Sequence, residues 1–501
     1  MIELTVNGKP RQLDSGMTLL AFLELSAINP QIIAVEHNGT IVKRERYAET
    51  PLSNGDHIEI VRMVGGGALD RHPLSTAVDW DAASSEAAET LSNYVRIDSS
   101  HPAGRTVETA ALLAERLAAD GIESKLYEAP AEGKVNLVAR LRASQSIGKP
   151  LLVSNHMDVV QAIASDWTFD PYSGEVANGH VYGRGALDMK GMGVMELMAL
   201  RLLKRHRVEL KRDVIMLCTC DEEIGSTLGA RWMVEQHFDE LDPAFVLDEG
   251  GSGLRGFFGV GDVFEVSVGE KRAVRFRMVA RAEPGHGSMP WADAATHRLV
   301  RAANAILDEQ PEDRLCPPVA EMVRRLGGEV ARREMASYRA TRPLLHDTLS
   351  LTMMSGGYKI NVLPEQAEMS FDCRLLPDTD ERSFVSNLEQ IINDPGITLD
   401  VTWPNAPDAT APLNSELFRA IEQACLAHAP ESVVTPSICI GGTDARFFRG
   451  RGVPAYGLVP CLFTADDLKG YHGVDERLSL ENLQLGMRIV FDIVARVASR
   501  E

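Results

Sequence analysis

The chain has 501 residues, of which 45% are hydrophobic and 24% are charged, and its formal net charge is −20 at pH 7. This length predicts about two to four globular domains, and the negative charge argues against non-specific binding of nucleic acid. The odd number of cysteines, seven, does not suggest a disulfide framework. We see no signal peptide and no run of membrane-spanning length. We therefore expect a cytoplasmic protein that binds neither nucleic acid nor membrane.

Residues 1–67 are predicted to form a small domain of their own. MIELTV alternates apolar and polar side chains, Asn7-Gly8 predicts a turn, and RQLD predicts the returning strand. A helical pattern over MTLLAFLEL precedes the strand IIAVEH, which ends at Asn38-Gly39, and HIEIVRMV is the last strand. The predicted order of elements is ββαββ, followed by three glycines at 65–67.

This order resembles the β-grasp (ubiquitin-like) fold, and the segments VNG, AVEHNG and GDHIEIVRMVGGG resemble the thiamine-pathway (ThiS-like) sulfur carriers. In that family the diglycine tail ends the chain and is converted into a thiocarboxylate. The resemblance implies that Gly66 and Gly67 are a candidate carrier tail, served by a sulfur-transfer partner. Because this chain continues past Gly67, that role requires cleavage there. The alternative is a vestigial or scaffolding domain with a glycine linker.

The rest of the chain predicts an α/β catalytic domain that is interrupted by a second domain. Residues 68–80 are expected to be a linker. Helical patterns and apolar strands then indicate an α/β unit over residues 81–269. Residues 270–408 alternate strands with two or three helices, which predicts an inserted ferredoxin-like α+β domain. The chain then returns to the first unit over residues 409–501, with a last helix from Glu481 to Val497.

Four clusters of His, Asp and Glu follow apolar runs. These runs predict buried parallel strands, and the clusters fall at the strand ends or in the turns after them. The clusters are SNHMDVV, GRGALDMKG, CDEEIGS and LDEGG, all between residues 154 and 251. Because the chemistry of open α/β sheets lies at the carboxyl ends of the strands, we expect these side chains to meet. The sequence therefore predicts a two-metal hydrolytic site.

The residue types in these clusters suit particular tasks. His156 and Asp158 form an H-x-D pair, in which the carboxylate can orient the imidazole for a metal. Asp188 lies in a glycine-rich turn, and its two oxygens can bridge cations about 3.5–4 Å apart. Of the adjacent Glu222 and Glu223, one can ligate a cation while the other serves as the general base. The structural alternatives are a turn-capping aspartate and a solvated pair of helix-capping glutamates.

Two further ligands are expected at the same site. The apolar run AFVL is followed by both Asp248 and Glu249, and spacing alone does not choose between them. His472 lies far away in the sequence, after a predicted strand and before the final helix. Such a position is what a second imidazole ligand requires.

From about residue 82 onward, the chain resembles the aminoacylase, acetylornithine deacetylase, succinyl-diaminopimelate desuccinylase and glutamate carboxypeptidase family of zinc hydrolases. The resemblance rests on the motifs HMDVV, WTFDPYSG, YGRGALDMKG, DEEIGS, DEGG, GHGS, GGTDAR and YHGVDE. It implies an α/β/α catalytic domain of the zinc-peptidase type and two Zn²⁺ ions per subunit, with Co²⁺ or Mn²⁺ as alternatives. The implied metal ligands are His156, Asp188, Glu223, Glu249 and His472.

The resemblance also implies a role for each of these residues. Asp188 would bridge the two ions, while Glu223 and His472 complete one site. His156 and Glu249 would complete the other, and the LDEGG form favours Glu249 over Asp248. Glu222 would be the general base and later the proton donor, with Asp158 as the orienting partner of His156.

The inserted domain would be a lid that also forms a homodimer. His286 in GHGSMP would reach the site of the neighbouring subunit and stabilise the oxyanion. The resemblance also implies substrate-binding residues. Two of them, Asn361 and Arg374, lie in the lid. The others lie in the GGTDAR segment that would face the substrate carboxylate: Gly442, Thr443 and Arg446.

The predicted function is therefore cleavage of an amide bond in an N-acyl amino acid or small peptide that has a free carboxylate. One alternative is a carrier-linked hydrolase that trims or releases groups at the glycine tail. Another is a non-catalytic binding protein that has kept the fold. The second alternative is disfavoured because every expected ligand and the base Glu222 are present.

Overall fold

The computed structural model describes residues 1–26, 28, 30, 33–62, 70–256, 261–309, 311–404 and 409–500. The candidate carrier tail at Gly66 and Gly67 lies outside the described residues. Within the described ranges, no helix has both the length and the apolar character needed to cross a membrane.

The first unit is a five-stranded sheet with one helix. Its elements are β1 (Ile2–Val6), β2 (Lys9–Leu13), α1 (Leu19–Leu25), β3 (Ile33–His37), β4 (Thr40–Val42) and β5 (His57–Arg62). The strand order is β2-β1-β5-β3-β4, with β1 and β5 parallel. This is the predicted β-grasp fold. The prediction omitted β4, because a three-residue strand is too short to show alternation.

The turns of this unit follow from its sequence. Asn7-Gly8 and Asn38-Gly39 all have positive φ angles, as tight hairpin turns require. Leu4, Phe22 and Val35 are among the buried side chains that hold the sheet against the helix. The unit therefore has a hydrophobic core of its own.

The first stretch of the second unit contains α2 (Trp80–Val95), α3 (Val107–Ala119), β6 (Glu123–Glu128), β7 (Val135–Leu141), β8 (Leu151–His156), β9 (Val176–Ala177), β10 (His180–Tyr182), α4 (Lys190–Arg205), β11 (Val214–Thr219), α5 (Ala230–Gln236), α6 (Phe238–Leu241), β12 (Phe245–Leu254) and β13 (Val263–Glu270). The inserted stretch contains β14 (Arg272–Arg281), β15 (Gly285–His286), α7 (Ala295–Asp308), α8 (Pro317–Leu326), α9 (Glu329–Ser337), β16 (Thr348–Gly356), β17 (Val362–Leu363), β18 (Gln366–Leu375), α10 (Glu381–Ile392) and β19 (Ile397–Thr402). The returning stretch contains α11 (Glu416–His428), β20 (Val433–Cys439), α12 (Ala445–Arg449), β21 (Ala455–Phe463), β22 (Arg477–Ser479) and α13 (Leu480–Ala498).

An eight-stranded sheet forms the centre of the second unit, in the order β20-β13-β21-β12-β8-β11-β7-β6. The strands β21, β12, β8 and β11 are parallel neighbours, as expected for strands that carry a site at their carboxyl ends. Alternate residues of β8 face opposite layers. Leu151 and Val153 pack towards α2, α4 and α13, while Leu152 packs towards α5 and α12. The predicted α/β/α architecture is therefore confirmed.

The inserted stretch forms the antiparallel sheet β16-β18-β14-β19. The helices α7 and α10 cover one face of this sheet, so its order of elements is the βαββαβ of a ferredoxin-like fold. The helices α8 and α9 lie within the predicted insert but belong to a different core cluster from its sheet. Met322 and Leu326 of α8 pack with Val263 and Ile438 at the edge of the large sheet. The apolar faces of α8 and α9 therefore pack at that edge and not in the core of the inserted sheet.

Residues 70–79, part of the predicted linker over 68–80, are held against the last helix. The backbone N–H of His72 donates to Asp492 Oδ2 at 3.2 Å, and Arg496 Nη2 donates to the carbonyl of Asp70 at 2.6 Å. Trp80 then packs edge-on against Phe491. The exact limits of the predicted domains stay predictions.

Candidate active site

Three parallel strands bring most of the predicted site residues to one edge of the large sheet. His156 is the last residue of β8, and Glu222 and Glu223 form the turn after β11. Glu249 lies in β12, where the pairing with β21 becomes irregular after Asp248. The glycine-rich loop before α4 carries Asp188 to the same edge.

Asp188 lies between the two histidines. Its Oδ1 is 3.0 Å from His156 Nε2, and its Oδ2 is 3.1 Å from His472 Nε2. Each histidine also faces a second carboxylate, with Glu249 Oε1 at 3.7 Å from His156 and Glu223 Oε2 at 3.2 Å from His472. The side chains thus fall into two donor sets that share Asp188.

The structure distinguishes Glu249 from Asp248, which spacing in the sequence alone did not. Glu249 points towards His156 and retains some exposure, with 15% of its side chain accessible. Asp248 is buried, and its Oδ2 has no hydrogen-bond partner among the described residues. Burial, reinforced by the nearby Asp444, raises the pKa of Asp248 to about 8. The geometry therefore favours Glu249 as the residue that faces the site.

The composition of the site fits divalent cations. The ligating atoms of His156, Asp188 and Glu223 lie within 4.8 Å of one another, as do those of His156, Glu222 and Glu249. Glu223 Oε1 is buried without a hydrogen-bond partner among the described residues. Burial and neighbouring carboxylates raise the pKa of Glu249 well above its ordinary value. Cations would offset this repulsion, and imidazole and carboxylate donors are those that zinc takes.

The side chain of Asp158 is placed differently from the expectation. His156 Nδ1 is 2.9 Å from the backbone carbonyl of Asp158 but 3.6 Å from its Oδ1, which is too long for a hydrogen bond. The carboxylate instead faces His101 Nε2 at 2.8 Å and accepts from the N–H groups of Glu222 and Glu223, each at 3.2 Å. The carbonyl thus orients the imidazole, and the carboxylate holds the turn that carries both glutamates.

Glu476 was not among the predicted site residues, but it supports the loop that carries Asp188. Its buried carboxylate accepts from the N–H groups of Leu187 at 2.7 Å and of Gly185 and Asp188, each at 3.0 Å. It also accepts from Arg184 Nη1 at 2.6 Å. Glu476 therefore fixes the loop that presents Asp188. The only signal for this contact was the presence of Glu476 in the YHGVDE motif.

A cleft of about 500 Å³ opens next to the site, between the large sheet and the lid. Glu222, Glu223 and His472 line it together with three of the residues predicted to bind substrate, Arg374, Gly442 and Arg446. Thr443 is buried instead, and its N–H and hydroxyl both bond to Glu270, at 2.8 and 3.0 Å. Its contacts in the structure are therefore those of a residue that shapes the GGTDAR turn.

His286 and Asn361 lie side by side in the lid, away from this cleft. The short strand β15, which contains His286, pairs with β17, which begins directly after Asn361, and Gly287 N donates to the carbonyl of Asn361 at 2.8 Å. The imidazole of His286 is exposed and faces Ser288 Oγ at 2.7 Å. Within one chain neither residue is among those that line the cleft or belong to the candidate metal-binding groups.

Comparison with known proteins places these observations in a family. The family model described as Peptidase family M20/M25/M40 matches residues 152–496, and the ThiS family model matches residues 4–67. Pig aminoacylase-1 is 28% identical over 416 residues, which cover 81% of this chain and 94% of that protein. Mouse N-fatty-acyl-amino acid synthase/hydrolase PM20D1 is 27% identical over 398 residues, or 74% of this chain and 78% of that protein.

Solved structures agree with this fold. The M20 family metallo-carboxypeptidase Sso-CP2 from Sulfolobus solfataricus superimposes with a TM-score of 0.61 at 18% identity, covering 82% of this chain and 98% of that one. The Bacillus subtilis YXEP protein, described as a dinuclear metal binding peptidase from the M20 family, gives a TM-score of 0.55 at 16% identity. That match covers 83% of this chain and 99% of the other. At these identities the likeness concerns the fold.

Proposed function

The chain belongs to peptidase family M20/M25/M40 and is a metal-dependent hydrolase, and we propose that it cleaves the amide bond of N-acyl amino acids or small peptides that have a free carboxylate. The observation that carries this proposal is Asp188, which lies between His156 and His472 beside an arginine-lined cleft. The relatives named aminoacylase and N-fatty-acyl-amino acid synthase/hydrolase support this class of substrate.

Two zinc ions are the proposed cofactors, with Co²⁺ or Mn²⁺ as alternatives because N and O donors discriminate weakly among these metals. Asp188 would contribute to both ions. His156 and Glu249 would hold one ion, and Glu223 and His472 the other. When bound, such cations lower the pKa of a water molecule to about 7 and polarise the carbonyl group of the substrate.

Glu222 is the proposed general base, since it lines the cleft next to both donor sets. Its carboxylate accepts a proton from the attacking water as the new C–O bond forms. It then donates that proton to the amine nitrogen as the C–N bond breaks, so the carboxylate is regenerated. The Asp158 carboxylate holds the Glu222 N–H and thereby fixes the position of this base.

Arg374, Arg446 and the Gly442 backbone are the proposed contacts for the free carboxylate of the substrate. Arginine suits this task because its guanidinium group can donate two parallel hydrogen bonds to a carboxylate. A Cβ atom at Gly442 would lie 2.9 Å from Arg446 Nη1, so a larger residue there would require the guanidinium group to shift.

We propose a homodimer in which His286 and Asn361 reach the cleft of a second copy. The lid strand β16 lies at the edge of its sheet and exposes Met353 and Met354. An exposed apolar edge strand of this kind favours pairing with another chain. In such a dimer His286 would donate a hydrogen bond to the substrate carbonyl oxygen as negative charge develops there.

The test is amine release by the zinc-reconstituted protein from a panel of N-acyl amino acids and dipeptides. Glu222→Gln should keep the bound zinc and lower kcat by about 10²–10⁴-fold, because the proton acceptor is lost. Glu235→Gln, on an exposed surface, is the matched control and should behave as the wild type. Near-normal turnover by Glu222→Gln would contradict the proposed role.

A second candidate function links the hydrolase to the first domain. The ThiS match ends at residue 67, and the chain is anchored to α13 from Asp70 onward. A cut after Gly67 would therefore free a tail with a glycine carboxylate for a sulfur-transfer partner, and the hydrolase would trim or release groups there. An intact-mass spectrum from the native host that shows only the uncut chain would contradict this candidate.

We propose a cytoplasmic location. All seven cysteines are free thiols, which supports this location because reducing compartments keep thiols unpaired. The complete set of ligating side chains together with Glu222 argues against a non-catalytic binding protein.

A further inference from the structure

A loop before α3 lies against the stretch of chain that follows β8. Ser100 forms an isolated parallel bridge with Val159. The N–H of Val159 donates to the carbonyl of Ser99 at 3.3 Å, and the N–H of His101 donates to the carbonyl of Val159 at 3.2 Å. These contacts join backbone to backbone. They therefore hold His101 beside Asp158 whatever side chain position 101 carries.

The imidazole of His101 is enclosed by its own loop. Only 11% of its side chain is accessible, and a Cβ atom at Gly104 would lie 2.5 Å from its Cε1 atom. Lys134 Nζ donates to the carbonyl of Gly104 at 2.7 Å and so holds this part of the loop next to the ring. His101 Nδ1 is buried without a hydrogen-bond partner among the described residues. The imidazole therefore donates from Nε2, which faces Asp158 Oδ2 at 2.8 Å.

The Asp158 carboxylate divides its two oxygen atoms between different donors. Its Oδ1 accepts from the Glu222 N–H, and its Oδ2 accepts from both the Glu223 N–H and His101. The imidazole of His101 thus helps to fix the rotation of the carboxylate. Without this donor the carboxylate can turn towards His156 Nδ1, which lies 3.6 Å from Oδ1, and its hold on the Glu222 N–H weakens.

We propose that His101 is a positioning residue for the general base and acts through Asp158. This inference rests on the proposed role of Glu222 in amide hydrolysis. His101 and Asp158 are not among the residues that line the cleft, whereas Glu222 is. A general base must lie within hydrogen-bond reach of the proton that it accepts, so a small displacement of the Glu222 turn slows proton transfer. His101 therefore affects kcat and leaves KM almost unchanged.

The experiment replaces His101 in the zinc-reconstituted full chain and measures turnover of the N-acyl amino acid that the wild type hydrolyses fastest. Glutamine can donate from near the position of Nε2, whereas leucine has similar bulk and no donor. The amide of asparagine ends near the position of Nδ1 and falls short of Asp158. We expect kcat to fall about tenfold in His101→Leu and His101→Asn, which is what one charge-assisted hydrogen bond supplies. His101→Gln should stay within about threefold of the wild type.

Three further readouts separate this role from a merely structural one. KM and zinc affinity, the latter from chelator competition, should change less than about twofold in all three variants. In a Glu222→Gln background, His101→Leu should lower kcat no further, because the base through which it acts is already absent. His428→Leu is the matched control, since His428 faces the buried carboxylate of Asp492 at 3.1 Å and does not line the cleft. This control should lose stability but keep kcat per folded chain within about twofold.

An unchanged kcat in His101→Leu and His101→Asn would overturn the inference, and so would a tenfold loss that recurs in the Glu222→Gln background. A tenfold loss in His101→Gln, or a loss that follows the loss of zinc, would overturn it as well. If His101→Leu does not fold, His101→Asn takes its place in each comparison. In all these cases the proposed function is retained as long as Glu222→Gln alone loses its turnover. Near-normal turnover by Glu222→Gln, or no turnover by the wild type, would overturn both.

Discussion

Replacing Glu476 by glutamine tests how the loop that carries Asp188 is held in place. The Glu476 carboxylate receives four donors, three backbone N–H groups and the buried guanidinium of Arg184. Glutamine has nearly the same shape but only one acceptor oxygen. If that oxygen keeps Leu187 and Asp188, its NH₂ group faces the donors of Gly185 and Arg184.

The expected loss of folding stability follows from these contacts. Removing one partner of a buried ion pair destabilises a protein by about 3–5 kcal/mol, because the remaining charge is left without compensation. We expect Glu476→Gln to lower the free energy of unfolding in urea by this amount. Because the same loop positions Asp188, zinc affinity should fall as well. The two readouts are urea unfolding followed by circular dichroism and zinc binding measured by competition with a chromogenic chelator.

Glu481→Gln is the matched control, since Glu481 pairs with Arg255 in a largely exposed ion pair. Such pairs contribute about 0–1 kcal/mol, so this variant should keep both stability and zinc affinity. If Glu476→Gln unfolds at the same urea concentration as the control and binds zinc with unchanged affinity, Glu476 does not hold the loop that carries Asp188.

Two further predictions concern pH and the dimer. Burial alone would raise the pKa of Asp492, but the hydrogen bond with His428 and the charge of Arg496 hold it below its ordinary value. Its stabilising contribution is therefore present above the unfolded-state pKa of about 3.9 and is lost as the pH falls through the lower folded-state pKa. Asp492→Asn should be less stable by about 3 kcal/mol at pH 7, and thermal melts should show the difference shrinking below pH 4; a constant difference would contradict this. Coexpression of Glu222→Gln with His286→Asn should restore about a quarter of wild-type activity, since half of the random dimers are mixed and each has one intact site. If the mixture stays as inactive as each variant alone, His286 does not act across subunits.

The parts of this molecule that follow from local patterns were predictable from the sequence. The strand that ends at His156 and the strand before the Glu222 turn are both apolar runs followed by acidic residues. Because they are parallel neighbours in one sheet, their carboxyl ends lie close together. The ferredoxin-like lid was predicted from its strands, although β19 was not recognised. Its intermediate and exposed residues alternate without the apolar run of a core strand.

Several contacts between distant segments were not predicted. The pairing of Arg184 with Glu476 joins residues 292 positions apart, and nothing in local composition selects it. The use of the Asp158 carbonyl in place of its carboxylate depends on backbone geometry at the end of β8. His101, which faces the Asp158 carboxylate, was also missed. It approaches from a loop before α3, and no local pattern links that loop to Asp158.

Zinc titration of the metal-free protein, with turnover of an N-acyl amino acid followed at each step, tests the central claim most directly. Two equivalents of zinc should bind per chain, because two donor sets share Asp188. Turnover should be absent in the metal-free protein and should reach its full value only as both sets fill. Full turnover without zinc, or with no saturable binding of zinc to the wild type, would contradict a two-metal hydrolytic site.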